Sequence, residues 1–265
     1  MKAKVNRIEN GSRKGLKLIL ALATLVVGGA AVILCYGQLC RECAKRSVIT
    51  DFGEQVKIES GKMVRAEVIA EYFGLKAGAN LAQIDFRTKR RELLAKVPTL
   101  RAVTIRRIMP DKVVITAEER TPIARLNLRG NRRVTGRVVD SDGVVFICQR
   151  GTQMLPTIRE TSSPGTQPGQ LLNGRSAEAL ELIVTCRDAE YQELGLLEVD
   201  ASKPDYLTMT LSNYSKVKIV WSDHADLVTR LNQLMAAIHS QIGTNVKIWN
   251  ATMPDKIFAD TQEKL

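Results

Sequence analysis

The sequence predicts an α+β protein. One transmembrane helix comes first, then a domain of order β-α-α-β-β, then a second, mostly antiparallel β domain with flanking helices. Three observations carry this. Residues Leu18 to Leu39 form a run of 22 without a charge. Helical and strand periodicities alternate between 48 and 120, and several short β-branched runs come after them, separated by turn residues. At 265 residues, 45% hydrophobic and 25% charged, the chain is too apolar for disorder and long enough for two domains. The expected divisions are a tail at 1–17, the membrane helix at 18–39, the first domain at 48–120, the β domain at 121–260 and a tail at 261–265.

The uncharged run comes first. At ~1.5 Å per residue it spans roughly 33 Å, against about 30 Å of bilayer hydrocarbon. A signal peptide's apolar stretch would be shorter, ~7–15 residues, with a small-residue cleavage site. Val32-Ile33-Leu34-Cys35 also lacks the small residue that a lipoprotein signal places before its cysteine. Ahead of the run lie Lys2, Lys4, Arg7, Arg13, Lys14 and Lys17 against Glu9 alone; after it come Arg41, Lys45 and Arg46 with Glu42. The larger positive excess stays in the cytoplasm. The N-terminus is therefore expected inside the cell and the bulk outside it, in the periplasm or at the cell exterior.

Charge is unevenly spread. The net value of +11 divides into +7 over 1–47, +8 over 48–140 and −4 over 141–265. Cys40 and Cys43 make a C-x-x-C just past the anchor. No second pair or nearby histidine completes a metal site, so a juxtamembrane or interchain disulfide, or no function, is the plainer reading. Cys148 and Cys186 lie in apolar stretches and read as core.

In the first domain, 55–59 alternates as a short strand. Val64, Val68, Ile69 and Tyr72 then recur at helical spacing, and Gly74 and Gly78 end that helix. Asp85 suits an N-cap. The helix after it places Phe86, Leu93, Leu94 and Val97 on its apolar face, with Arg87, Lys89, Arg90 and Arg91 elsewhere. Pro98 breaks it. Val103 and Ile105 alternate as a strand, Met109-Pro110-Asp111-Lys112 turns, and Val113, Ile115 and Ala117 return. Arg87 and Arg90 with Arg106 and Arg107 make this domain basic. Close to a bilayer such charge can sit on anionic headgroups at about 1 kcal/mol per residue, although a solvated helix face is the plainer account. Lying outside the membrane, it does not suggest nucleic acid.

In the second domain, Asp140-Ser141-Asp142-Gly143 turns between 137–139 and 144–148 as a hairpin. Residues 161–174 read as a loop and 177–186 as a helix. Strands are expected at 198–200, 206–211 and 216–221. A helix is marked by Leu227, Leu231, Leu234 and Ile238, and two last strands lie at 246–250 and 256–259.

The words of the first domain resemble a POTRA domain. More closely, the chain resembles the bacterial division family FtsQ/DivIB. The likeness rests on Gly78-Ala79-Asn80-Leu81-Ala82-Gln83-Ile84-Asp85 and on Leu94-Ala95-Lys96-Val97-Pro98. It continues through Val103-Thr104-Ile105-Arg106-Arg107-Ile108-Met109-Pro110-Asp111-Lys112-Val113-Val114-Ile115 and Glu118-Glu119-Arg120-Thr121-Pro122-Ile123-Ala124. Val138-Val139-Asp140-Ser141-Asp142-Gly143-Val144-Val145-Phe146 and Leu155-Pro156-Thr157-Ile158 complete it. Ser60-Gly61-Lys62 departs from the family's usual Gly-Asn pair. At the C-terminus, Trp221-Ser222, Lys247 and Trp249 depart as well.

The resemblance implies a non-catalytic inner-membrane scaffold at the division septum. It would bind FtsB- and FtsL-like partners, need no cofactor, and touch the lipid bilayer through Leu18 to Leu39. It points to the C-terminal strands as the partner surface, namely Val246, Ile248, Trp249, Lys256, Ile257, Phe258 and Ala259. Strand 256–259 is expected at a sheet edge, where another chain can add a strand. Two other classes remain. A POTRA-containing biogenesis or translocation factor would carry a C-terminal membrane β-barrel with its ~10-residue amphipathic strands, and no such pattern is present. An anchored envelope hydrolase would need a nucleophile or metal motif. The two histidines, His224 and His239, stand in none, and a Cys148–His224–Asp triad has no elbow motif to support it.

Overall fold

The computed structural model describes residues 25, 28–39, 41–42, 45–108, 110–128, 136–160, 166–240 and 246–260. The expected tails at 1–17 and 261–265, most of 18–27, and Cys40, Cys43 and Met109 lie outside them. The described part of the chain has two sheets and divides into two compact units. One comprises Met1–Glu59, Glu67–Phe86 and Ile105–Ile115; the other comprises Ser60–Ala66, Arg87–Thr104 and Thr116–Leu265.

In the first unit the described residues of 28–39, 41–42 and 45–46 are helical. Val32, Ile33, Leu34, Tyr36 and Leu39 all expose their side chains. Among the described residues no helix is long and apolar enough to cross a membrane. The chain then binds into the domain: Val48 bridges Asn80, and Leu81 N–H donates to the Ser47 carbonyl at 2.9 Å. A single helical turn, α1 (Phe52–Gln55), is capped by the Asp51 carboxylate, which accepts the N–H groups of Gly53 and Glu54. Its last residue, Gln55, is buried, accepting from the N–H groups of Thr50 and Asp51 and donating to Asp111 Oδ2 at 2.7 Å.

Strand β1 (Val56–Glu59) and helix α2 (Ala66–Phe73) come next. The α2 stripe that is buried is Ile69, Ala70 and Phe73, while Val68 is exposed. The apolar spacing places this helix correctly but misses Phe73, which stacks on Phe86 at 5.6 Å between ring centroids. Helix α3 (Phe86–Lys96) buries Phe86 and Leu93 fully, with Leu94 and Val97 only partly covered. Leu93, not its neighbour, therefore anchors the helix. Strands β2 (Leu100–Ile108) and β3 (Lys112–Glu119) are joined by three residues, a length that suits only an antiparallel pair. Sheet order is β1-β3-β2.

In the second unit, the Glu119 carboxylate accepts the N–H groups of Lys62, Met63 and Val64 at 2.7–2.9 Å. A Cβ at position 61 would overlap that carboxylate, which accounts for Gly61 at the point where the sequence leaves the family pattern. The nine-stranded sheet comprises β4 (Ala124–Leu128), β5 (Arg137–Val139), β6 (Val145–Ile147), β7 (Thr157–Glu160), β8 (Glu198–Asp200), β9 (Leu207–Thr210), β10 (Lys216–Ile219), β11 (Ile248–Ala251) and β12 (Phe258–Asp260). Its order is β12-β11-β10-β9-β8-β7-β4-β5-β6.

The expected antiparallel character holds for five of the eight pairings; β4 with β7, β7 with β8 and β10 with β11 run parallel. The sheet is thus mixed. A parallel pair needs a long crossover, and the helices supply two: α4 (Gly174–Thr185) joins β7 to β8, and α5 (His224–Ser240) joins β10 to β11. Both helices pack on one core with alternate strand residues. Ala179, Leu182 and Ile183 of α4 and Leu227, Leu231 and Leu234 of α5 meet Ile158, Val199, Met209, Val217 and Trp249. Val138, Phe146 and Cys148 form a separate small cluster.

Candidate partner-binding edge

The C-terminal surface is built from α5, β11 and β12. Trp249 and Val246 are buried in the main core, at 5% and 7% exposure, and Ile248 is half-buried. Of the expected partner residues these three therefore hold the sheet together, with Val246 and Trp249 closed to direct contact. Lys256 and Ala259 are exposed, Ile257 packs partly on the core, and Phe258 is 52% exposed. Of these residues only Phe258 offers an outward aromatic surface. Met253, in the turn before it, is also exposed.

The edge is held in place by one buried cation. Arg230, on α5, is 6% exposed; its Nε donates to Asp226 at 2.9 Å, and its Nη1 donates to the carbonyls of Ala251 and Met253 at 3.1 and 3.2 Å. The guanidinium thus binds the helix to the turn between β11 and β12. Its hydrogen bond, with one from the Ser222 N–H, holds the Asp226 carboxyl below the usual carboxylate range. Asn250 Oδ1 accepts from the N–H and hydroxyl of Thr252 and starts the same turn. No sequence signal singles out Arg230, because its interior position on the helix looks like that of any polar-face arginine.

The expected basic surface falls in both compact units. Arg87 and Arg90 are exposed on α3 in the second, and Arg106 and Arg107 are exposed on β2 in the first. As strand neighbours, Arg106 and Arg107 point to opposite faces. Arg107 Nη2 donates to the Ile84 carbonyl at 2.7 Å, and its guanidinium carbon lies 4.4 Å from the Phe86 ring centroid.

Other titratable groups have structural partners. Asp140 Oδ2 accepts from Arg120 at 2.6 Å, while Oδ1 accepts the N–H groups of Asp142 and Val144 and so forms the hairpin turn. The Cys148 thiol donates to the Arg150 carbonyl, and His224 and His239 pair with Glu181 and Glu193. Burial pushes the Cys186 thiol up to about 12, far from a reactive thiolate. Among the described residues no group of three metal-ligating side chains is assembled.

Two comparisons fit this architecture. The family model of the FtsQ-type POTRA domain matches residues 54–120, which span β1 to β3. A cell division protein FtsQ from Koribacter versatilis (strain Ellin345) is 24% identical over 248 residues, covering 91% of this chain and 65% of that protein. The chain thus spans about 65% of the length of that relative. The chain thus resembles the FtsQ-type division proteins in two ways: residues 54–120 match the FtsQ-type POTRA domain, and the likeness to one FtsQ extends over 248 residues.

Proposed function

We propose that the chain is a non-catalytic scaffold of the division machinery. Residues 18–39 hold it in the inner membrane, with 1–17 in the cytoplasm and the bulk outside, and it acts at the septum. It captures single-pass division proteins of the FtsB and FtsL type and so links them to septal wall synthesis. The observation that carries this reading is β12, a three-residue strand at the end of the sheet order with Phe258 turned outward. Main-chain pairing there supplies affinity, and contact with the exposed Phe258 side chain supplies selectivity. The domain division at 120/121 is part of the proposal. It is supported by the change of sheet between β3, which ends at Glu119, and β4, which begins at Ala124.

The test uses the full chain as a fluorescent fusion in dividing cells, with co-purification of the FtsB-like partner. The expected result is a midcell band, and partner capture that is lost in Phe258→Glu. A uniform cell outline favours an envelope biogenesis role instead. A Phe258→Glu chain that still captures its partner moves the surface away from β12.

A further inference from the structure

The first unit carries a small open pocket of about 110 Å³, lined by Ser47, Leu81, Ala82, Arg107, Pro110 and Lys112. We propose that this pocket binds the phosphate of an anionic phospholipid headgroup, fixing the domain against the membrane surface. The inference rests on the reading of 18–39 as an anchor.

Its chemistry is that of an anion site. Arg107 uses one nitrogen on the Ile84 carbonyl and lays its plane against Phe86, so the guanidinium is oriented before any ligand arrives. Among the described residues no other acceptor takes its remaining donors, and the Lys112 ammonium has no partner there either. The nearest carboxylate in sequence, Asp111, is turned to Gln55, whose amide donates to its Oδ2, and does not line the pocket. Two cations thus face a cavity with no acidic residue among its described lining. A guanidinium fork and a point-charge ammonium together suit a phosphate oxygen cluster. The walls are firm on both sides. Leu81 N–H bonds to the Ser47 carbonyl, and Ala82 N–H bonds to the Asn80 side chain at 2.9 Å.

Chain connectivity selects the source of the phosphate. Ser47 directly succeeds the N-terminal helical segment, whose apolar side chains from Val32 to Leu39 are exposed. Leu39 precedes Ser47 by eight residues, a rise of ~12 Å if helical. The headgroup layer is roughly 5–8 Å deep on each side of the hydrocarbon. Lipid phosphates are therefore the most concentrated phosphates near the pocket mouth, and the exposed Lys112 has a stem long enough to meet them.

The experiment uses the full chain in a neutral detergent and counts bound lipid by native mass spectrometry. Phosphatidylglycerol, phosphatidylcholine and soluble glycerol 1-phosphate are added in separate arms. Phosphatidylglycerol is expected to bind with preference, and Lys112→Gln to weaken it about fivefold, as the loss of one headgroup contact implies. Arg106→Gln, which removes the same charge from the opposite face of β2, is expected to stay within about twofold. Arg107→Gln is expected to lose more than Lys112→Gln; because Arg107 also supports Phe86, Lys112→Gln decides. Equal losses in Lys112→Gln and Arg106→Gln would mean diffuse charge attraction and overturn the pocket. Equal binding of the two lipids would overturn it as well. Glycerol 1-phosphate binding without lipid binding would transfer the site to a soluble phosphate ester and overturn the lipid assignment. The anchor reading is tested apart from this, by alkaline extraction of cell membranes. Release of the chain there defeats the anchor whatever the detergent arms show.

Discussion

The two ends of the nine-stranded sheet are treated in opposite ways. At one end, β6 is short and hydrophobic, and the chain covers it. Val145 N–H donates to the Gln170 carbonyl, Gly169 N–H donates to the Val145 carbonyl, and Val144 bridges Leu171. Val145 and Phe146 are both fully buried, Val145 in the main core and Phe146 with Val138 and Cys148. At the other end, β12 is equally short, and all three of its residues are exposed. Among the described residues nothing pairs with its outer side. An uncovered edge offers unpaired backbone groups to any passing strand, and proteins normally blunt such edges. Among the described residues a loop covers β6 and none covers β12, so one edge is protected and the other is left available. The open edge is therefore a property of this end of the sheet, not of short strands as such.

The largest expected effect comes from emptying the core beneath the open end. Trp249→Ala should cost ~3–5 kcal/mol in chemical unfolding, because the indole is buried on β11 beside β12. A loss under about 1 kcal/mol would make Trp249 a contact residue after all and reverse the reading of this face.

Arg230→Met comes next. It keeps the stem volume but leaves two carbonyls and Asp226 Oδ1 without their donor, which should cost roughly 2–3 kcal/mol. The pH dependence gives it a signature. The folded Asp226 pKa lies below its unfolded value, so its contribution is present above about pH 4 and is lost as pH falls through the folded pKa. The gap between wild type and Arg230→Met should therefore narrow below about pH 4. A constant gap across that range would separate Arg230 from Asp226.

The covered end has its own test. Gly169 has φ +89°, and a Cβ there would lie 3.3 Å from Pro98 Cγ. Gly169→Ala should cost about 1–2 kcal/mol through backbone strain and loosen the segment over β6. If the open edge at β12 matters because β6 is protected, this variant should also self-associate more, as sedimentation or scattering would show. A monomeric, unstrained variant would mean that the loop is not what protects β6.

Much of this is legible in the sequence, and the misses have physical causes. The strand at 198–200 is found as expected, since alternation and flanking turns mark it locally. Strands β4 and β7 are hidden because Ala124–Leu128 and Thr157–Glu160 sit directly after proline-containing words that dominate the local pattern. The parallel pairings are not local at all: they depend on where α4 and α5 return the chain. On α3, Leu93 and Leu94 are adjacent, and spacing alone cannot rank two neighbours that flank the same stripe. The edge strand is readable from the polar stretch 260–265, whose first residue ends β12, whereas the inward turn of Trp249 depends on its register opposite Ala259. The basic pocket is not readable as a pocket, because Arg107 and Lys112 meet only across a hairpin and are closed by Ser47, Leu81 and Ala82.

The smallest stability effect belongs to the residue with the largest expected functional one. Ile257 directly precedes β12 and Phe258 opens it, and the two differ in burial: Ile257 packs on the core and Phe258 is exposed. Ile257 is partly buried against the core, and a carboxylate there loses hydration and apolar contact, so Ile257→Glu should cost about 1–2 kcal/mol. Phe258 is 52% exposed and owes little stability to its surroundings, so Phe258→Glu should change unfolding by under about 0.5 kcal/mol. Both substitutions add the same charge at adjacent positions at the start of β12. Any difference between them in partner capture therefore reports which face is used, not a general electrostatic penalty. The open-edge account requires Phe258→Glu to stay folded and lose capture, while Ile257→Glu loses capture only in proportion to its lost stability. If Phe258→Glu costs as much as Ile257→Glu, the aromatic ring is part of the fold and β12 is as covered as β6, which would remove the contrast between the two ends of the sheet.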